Sequence, residues 1–207
     1  LPPALCILAH AELRPPTPSP QIMVMATTLP RFTVDDLASF PDDGNRYELL
    51  NGLLLVTPQA GLPHQSVASG LTLALGRFLE NLPGIRVWAP GVVQIQPDTH
   101  LEPDILVARM PVVPDWEAVH EHWLAVELSG IASRVYDRRY KRDAYLQVGV
   151  KEVWLVDLES RGILVSRPEG PTDEPHEDSV AWHAPDGRLL TIDIPALFRG
   201  LPGKIPS

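Results

Sequence analysis

The sequence predicts an α/β protein of the α+β type, with a mixed, mainly antiparallel sheet flanked by helices. Short apolar runs bounded by proline, glycine and charged residues recur along its 207 residues, and such runs are typical of strands. Two longer segments, 62–82 and about 134–148, instead repeat their apolar residues at helical spacing. In the central stretch 101–157 these signals follow the order strand, strand, helix, strand. We therefore expect this stretch to form the centre of the sheet.

Residues 1–30 are not expected to belong to the fold, because seven prolines interrupt any regular structure there. Translation is expected to begin at Met23 or Met25, which precede the first helix signal, so the residues before Met23 should be dispensable. A secretory signal is the alternative for this segment, although it has no basic residues ahead of its short apolar run. The folded domain is predicted over 31–201, followed by a tail, 202–207.

The first half of the domain is predicted to contain a short helix, a hairpin, a long helix and two strands. Thr33-Val34-Asp35-Asp36 has the form of a capping box. Asn51-Gly52 separates two apolar runs, as in hairpins with the favoured two-residue turn. The long helix 62–82 is amphipathic through Val67, Leu71, Leu75, Phe78 and Leu79. The two strands are predicted at 87–89 and 92–96.

The second half is predicted to be less regular outside the central stretch. Within that stretch, Tyr136, Tyr140, Ala144 and Val148 follow helical spacing, and Gly149 stands where a helix often ends on glycine. The remaining expectations are an irregular connection at 111–121, an outer strand at 162–166, an acidic loop at 169–178, edge strands at 180–182 and 189–192, and a short helix at 195–199.

The composition limits the classes of function. The 17 basic and 26 acidic residues give a formal charge of −9, whereas a nucleic-acid-binding protein is expected to carry a basic surface. Basic residues do cluster around one segment, at Arg134, Arg138, Arg139, Lys141 and Arg142. That cluster is also compatible with a solvated helix face on which Asp137 and Lys141 form an ion pair. The single cysteine excludes an internal disulfide, and no apolar run approaches a membrane span, so a cytoplasmic protein is expected.

Two carboxylates are predicted to meet at one edge of the sheet. Asp104 begins the first central strand and Glu127 lies near the end of the second. If these strands pair antiparallel, the start of one lies beside the end of the other. Like charges in an apolar setting repel unless a cation lies between them, and Mg²⁺ typically needs only one or two carboxylates. Asp104 could instead be a plain strand-entry residue, and Glu127 could face water.

The order of these motifs resembles the PD-(D/E)XK nuclease superfamily and, within it, the Uma-type family of restriction endonucleases. The resemblance covers about 31–201. In this sequence the lysine usually found two residues after the glutamate is replaced by Ser129, and Gly130-Ile131-Ala132-Ser133 departs from the family's turn. The matching motifs, in order, are Arg46-Tyr47-Glu48-Leu49, Gly52, His64, Pro103-Asp104-Ile105, Glu127-Leu128-Ser129, Asp137, Lys141, Tyr145, Gly149-Val150-Lys151-Glu152 and Trp154-Leu155-Val156-Asp157.

The resemblance implies a restriction-endonuclease-like fold and metal-dependent hydrolysis of phosphodiester bonds, with DNA favoured and RNA left open. Asp104 and Glu127, helped by the Leu128 carbonyl, would bind Mg²⁺ or Mn²⁺. Glu48 would hold or orient the metal or its water, and His64 is a possible site residue. Both also have ordinary interpretations, Glu48 on the solvent face of a strand and His64 as a surface histidine. A homodimer is expected, because a two-fold pair matches the symmetry of duplex DNA.

A catalytic cation must come from elsewhere, because Ser129 cannot supply one. Lys141 is predicted to replace it, since a long flexible side chain on the following helix can reach the strand end. Nucleic-acid binding is predicted for Arg134, Arg138, Arg139 and Arg142. The alternative to an enzyme is a nucleic-acid- or protein-binding module with a vestigial nuclease site, which the acidic balance and the missing lysine favour.

Overall fold

The computed structural model describes residues 30–130, 140–170 and 173–201. Predictions that concern 1–29, 131–139 and 202–207 lie outside these residues. The helices are α1 (Leu62–Leu79), α2 (Arg142–Gln147) and α3 (Ile194–Leu197), with short 3₁₀ helices at Val34–Ser39 and Trp116–Ala118. The strands are β1 (Arg46–Leu50), β2 (Leu53–Thr57), β3 (Ile85–Trp88), β4 (Val93–Ile95), β5 (Thr99–Leu101), β6 (Ile105–Arg109), β7 (His122–Ser129), β8 (Val153–Asp157), β9 (Gly162–Ser166), β10 (Glu174–His176), β11 (Ser179–His183) and β12 (Leu189–Asp193).

A six-stranded mixed sheet forms the centre of the molecule, with the order β10-β9-β8-β7-β6-β3. Its one parallel pair is β7 with β8, and its other neighbours are antiparallel. The parallel pair needs a crossover connection, and α2 lies in that connection. Strands β6 and β7 pair antiparallel with Ile105 opposite Val126, so Asp104 and Glu127 come together as the sequence predicted. The predicted mixed, mainly antiparallel sheet is confirmed.

Alternation along the central strands divides the core into two layers. Leu124 and Val126 of β7 belong to the layer covered by α1, whose buried face is formed by Val67, Leu71, Leu75 and Leu79. Ala125 belongs to the opposite layer, together with Tyr145 of α2. This two-residue period is what a strand buried on both faces requires. Consequently Glu127, two residues after Ala125, lies on the α2 side of the sheet.

A second sheet of four strands has the order β2-β1-β5-β4. Its hairpin is confirmed at the predicted residues, with Asn51 at φ 49° and Gly52 at φ 76°, the conformation of a type I′ turn. The predicted strands at 87–89 and 92–96 exist as β3 and β4, but in different sheets. Between them the chain passes so close to β6 that a Cβ at Gly91 would overlap Leu106. Strand β5, with three residues, was not predicted.

One expectation for the C-terminal part is corrected. The acidic segment 169–178 was predicted to be a loop, but β10 lies within it and pairs with β9. Arg167 stabilises this pairing, because its guanidinium contacts Glu152 at 2.7 Å and Glu174 at 3.2 Å. The predicted edge strands at 180–182 and 189–192 are present as β11 and β12, which pair with each other in a separate two-stranded sheet. No helix in the described part of the chain is long and apolar enough to cross a membrane.

His122 is a buried histidine at the start of β7, with only 6% of its surface exposed. Neither ring nitrogen has a hydrogen-bond partner among the described residues. Burial, together with the nearby charge of His120, lowers the pKa of His122 from 6.5 to about 4. The folded protein therefore holds this ring neutral at pH values where the unfolded chain protonates it.

We expect the folded protein to lose stability as the pH falls from 6.5 toward 4, because the unfolded state binds a proton at His122 that the folded state excludes. Each pKa unit corresponds to about 1.4 kcal/mol, so this residue should lower the free energy of unfolding by about 2 kcal/mol at pH 5. Urea unfolding at pH 7 and pH 5 measures the loss. His122→Phe should remove it, whereas His183→Gln, an exposed control, should retain it. An equal loss in the parent and His122→Phe would contradict this assignment.

Candidate active site

Four residues predicted from separate motifs come together at one edge of the central sheet. Glu48 lies on β1, Asp104 directly precedes β6, Glu127 lies on β7 and Lys141 caps the start of α2. Their exposed fractions are 1%, 6%, 3% and 2%, respectively. The fold therefore gathers three carboxylates and an ammonium group in a largely water-excluded position. A solvent-facing Glu48, the ordinary interpretation of its strand, does not agree with this burial.

Lys141 lies between Glu48 and Glu127. Its Nζ is 2.8 Å from Glu48 Oε2 and 3.1 Å from Glu127 Oε1. The first contact has the distance of an ion pair without the angles of a hydrogen bond, and Glu48 Oε2 has no hydrogen-bond donor among the described residues. A surface ion pair is therefore the wrong description of Lys141. Asp137, its predicted surface partner, lies outside the described residues.

Neighbouring elements also hold these two carboxylates, at the oxygen of Glu127 that contacts Lys141 and at the opposite oxygen of Glu48. The Tyr145 hydroxyl, on α2, donates to Glu127 Oε1 at 2.6 Å, and the Glu102 amide donates to Glu48 Oε1 at 2.7 Å. Complete burial raises the pKa of Tyr145 well above its ordinary value, and the charges of Glu127 and Glu48 raise it further. Tyr145 thus stays protonated and acts as a hydrogen-bond donor that fixes Glu127.

Asp104 accepts hydrogen bonds on both oxygens. Both terminal nitrogens of Arg46 lie 3.1 Å from Oδ1, while His64 Nε2 at 2.9 Å and the Leu128 amide at 2.8 Å contact Oδ2. Burial alone would raise the pKa of Asp104, but the hydrogen bond and charge of His64, the charge of Arg46 and the Leu128 amide together lower it. The carboxylate is therefore ionised over the physiological pH range.

Arg46 also bridges Asp104 to the segment before β6. Its Nη1 donates to the Glu102 carbonyl at 3.0 Å, and its Nε lies 3.4 Å from the Glu102 carboxylate. Burial would lower the pKa of Arg46, but the negative charges of Asp104, Glu127 and Glu48 raise it. Arg46 is thus a permanent cation fixed beside the predicted metal ligands.

Sequence reasoning assigned no role to Arg46 or Tyr145, although both stand within the quoted motifs. Two-residue alternation on β1 places Arg46 on the same face as Glu48, and helical spacing places Tyr145 one turn after Lys141. These two spacings were the available signals. His64, noted only as a possible site residue, contacts Asp104 and lies at the edge of a cleft.

Of the four arginines predicted to bind nucleic acid, the structure describes Arg142. Arg142 contacts Asp173 at 2.6 Å and Asp143 at 2.8 Å, and its side chain is largely buried. Arg134, Arg138 and Arg139 lie outside the described residues. Nucleic-acid binding by these arginines stays a prediction.

The carboxylate oxygens of Glu48, Asp104 and Glu127 are suitable ligands for a hard divalent cation, because they are oxygen atoms and carry negative charge. Among the described residues, the three buried carboxylates face the guanidinium of Arg46 and the ammonium group of Lys141. Carboxylate oxygens are the ligands that Mg²⁺ prefers. As described, however, no three His, Cys, Asp or Glu side chains stand close enough together to hold a metal. Each oxygen of Asp104 already accepts two hydrogen bonds, so a metal bound there would have to displace Arg46 or His64.

These contacts also determine how neutral variants of Asp104 and Glu127 should behave. Each carboxylate has its own cationic partner, Arg46 for Asp104 and Lys141 for Glu127. Neutralising either carboxylate leaves its cation less well compensated, so a loss of stability is expected.

The geometry and the motifs agree with a comparison against protein-family models. Residues 34–193 match the model of Uma2, described as "Putative restriction endonuclease". The chain belongs to the Uma2 family. The matched range includes every predicted site residue, and membership in Uma2 supports a nuclease function for this chain.

Solved structures agree on the fold. The chain is similar to a protein from Anabaena variabilis titled a "putative nuclease belonging to DUF820", with a TM-score of 0.63 and 18% sequence identity. The match covers 81% of this chain and 97% of the other, and at this identity it shows the fold alone. Among curated proteins, no match was found. The predicted Uma-type membership and nuclease-like fold are therefore confirmed.

Proposed function

We propose that this Uma2 protein is a metal-dependent endonuclease that hydrolyses phosphodiester bonds in DNA. The observation that carries the proposal is the buried cluster of Glu48, Asp104, Glu127 and Lys141, which two sheets and a helix assemble from distant parts of the chain. A buried ionic cluster of this kind is costly to maintain and is more often kept for function than for stability.

Asp104 and Glu127, helped by the Leu128 carbonyl, are the residues proposed to hold Mg²⁺ or Mn²⁺. A bound divalent ion supplies polarisation of the scissile phosphate and a lowered pKa for an attacking water. Tyr145 orients Glu127 by its hydrogen bond, and the Leu128 amide orients Asp104. The role proposed for Glu48 is to hold Lys141 in place and to orient the metal or its water.

Lys141 is proposed to supply the fixed positive charge that the motif at Ser129 lacks. Negative charge accumulates on the phosphate in the transition state, and a preorganised cation lowers the barrier most in a site shielded from water. Two carboxylates fix the Lys141 ammonium group at 2.8 and 3.1 Å, so it needs no rearrangement at the moment of reaction. On the other side of Asp104, Arg46 and His64 are positioned to contact a phosphate that enters from the cleft.

The second candidate is a binding module with a vestigial site. Two observations favour it, the formal charge of −9 and the serine at position 129 in place of a lysine. Catalysis is preferred, because Lys141 occupies a position next to Glu127 that a vestigial site has no reason to keep charged.

A location in the cytoplasm stays a prediction.

Incubation of the purified protein with plasmid DNA and with RNA, each with and without Mg²⁺ or Mn²⁺, tests the proposal. Cleavage of DNA that requires the metal and internal breaks in circular plasmid are the expected results. Metal-dependent cleavage of RNA alone would change the substrate. Binding without cleavage under every metal condition would replace the nuclease proposal with the binding module.

We also propose that the protein acts as a homodimer. A domain with one such site cuts one strand at a time, and a two-fold pair would place two sites symmetrically on a duplex. Light scattering should give twice the 22.8 kDa mass of the chain. A monomer mass at working concentrations would remove the dimer without affecting the nuclease proposal.

A further inference from the structure

A cleft of about 390 Å³ opens beside Asp104. Its lining includes Arg46, His64 and Asp104 of the candidate site, Gln65 and Ser69 of α1, and Ala89 and Pro90. Apart from Arg46, His64 and Asp104, the lining contains no ionisable side chain.

The wall formed by α1 offers hydrogen-bonding groups that no described residue uses. Gln65 and Ser69 are exposed, and their side chains make no hydrogen bond with another part of the chain that the structure describes. An amide and a hydroxyl can each donate and accept, which suits the edge of a nucleobase. Ala68, Leu73 and Pro90 add apolar surface for the flat face of a base.

The size and shape of the cleft point to one nucleotide. Its volume lies near the lower end of the range for small-molecule pockets, about 300–1,000 Å³. Duplex DNA is usually read by a convex helix or ribbon placed in a groove, whereas a concave pocket of this size is what enzymes use for an unpaired or extruded base. The charge of −9 agrees, because a protein that follows a long stretch of phosphates is expected to be basic.

We propose that the cleft binds a single unpaired nucleotide adjacent to the scissile phosphate, with its base against Gln65 and Ser69 and its phosphate toward Arg46 and His64. The inference rests on the proposed nuclease function and names the substrate class of that site. The preferred substrates are then single strands or unpaired positions in a duplex, not continuous duplex DNA.

Binding without metal tests the inference separately from cleavage. Fluorescence anisotropy in the presence of EDTA should show a short single-stranded DNA oligonucleotide binding at least tenfold more tightly than its perfect duplex. A duplex with one bulged nucleotide distinguishes the two sources of an unpaired base, because it binds well only if the protein accepts an extruded nucleotide. Equal or tighter binding of the perfect duplex overturns the inference, as does no binding of any oligonucleotide.

Two variants test the cleft itself. Ser69→Trp places a large ring in the cleft from an exposed helix position and should weaken single-strand binding at least tenfold. Gln65→Ala should weaken binding by about threefold to tenfold and alter the preference among the four bases. Gln147→Trp, also an exposed helix position but outside the cleft, is the matched control and should bind as the parent does. Thermal unfolding verifies that each variant is folded.

Single-strand binding by the variants and metal-dependent cleavage by the parent test the cleft and the nuclease function separately. If Ser69→Trp and Gln65→Ala both bind single strands as the parent does, the inference is wrong even when metal-dependent cleavage is observed. If no nucleic acid is cut but Ser69→Trp loses single-strand binding, the nuclease proposal fails and the cleft remains a nucleotide site. Should Ser69→Trp be unfolded, Gln65→Ala alone decides.

Discussion

Lys141→Met is expected to abolish cleavage and to lower the free energy of unfolding by about 3–5 kcal/mol. The second figure is typical when one partner of a buried ion pair is removed and the other is left uncompensated. In this variant Glu48 and Glu127 would stay buried with the cation between them lost. The burial of the Lys141 side chain, 2% exposed, is the reason for this large effect.

A double variant tests the origin of the stability loss. Adding Glu127→Gln to Lys141→Met removes one of the two carboxylate charges that faced the lost cation, so urea unfolding should show partial recovery of stability. Lys151→Met is the matched control, because Lys151 is exposed and its replacement should change stability by less than about 0.5 kcal/mol. Cleavage by folded Lys141→Met at the parent's rate would exclude Lys141 as the catalytic cation.

Asp104→Asn is expected to abolish both divalent-metal binding and cleavage. It should also lower the free energy of unfolding by about 2–3 kcal/mol, because hydrogen bonds from Arg46 and His64 lose their anionic acceptor. Asparagine keeps the shape and one oxygen acceptor, so the fold should be retained. Calorimetry with Mg²⁺ and with Mn²⁺ measures the binding, and Glu127→Gln should behave alike.

The difference in stability between the parent and Asp104→Asn should become smaller as the pH falls. The folded-state pKa of Asp104 is below its ordinary value, so its ionised form stabilises the fold above about pH 4 and is lost as the pH falls through the folded-state pKa. The parent and Asp104→Asn should therefore differ most near neutral pH and converge in acid. Asp42→Asn, an exposed control, should bind metal as the parent does. Unchanged metal affinity in both Asp104→Asn and Glu127→Gln would refute the proposed ligands.

Short sequence patterns predicted the elements that depend on residues close together in the chain. Asn51-Gly52 specified the β1–β2 hairpin because few residue pairs accept positive φ at both turn positions. The apolar spacing of α1 predicted which of its residues are buried. Gly149, at φ 92°, ends the helical segment as glycine does after many helices.

Elements that depend on distant partners were missed. Strands β5 and β10 have three residues each and exist because β1, β4 and β9 offer backbone partners. The placement of β3 and β4 in different sheets was also not predictable, because strand pairing depends on residues that are distant in the chain.

The sequence by itself determined the family, the fold class and the four residues of the candidate cluster. It could do so because antiparallel pairing of two recognisable strands places Asp104 opposite Glu127, and because motif order identified Glu48 and Lys141. Only the tertiary structure decided the ionic partners, with Lys141 between two glutamates and Arg46 and His64 on Asp104. The physical reason is that burial and pairing depend on residues up to 93 positions apart in the chain, as with Glu48 and Lys141, and spacing along the chain carries no information about such contacts.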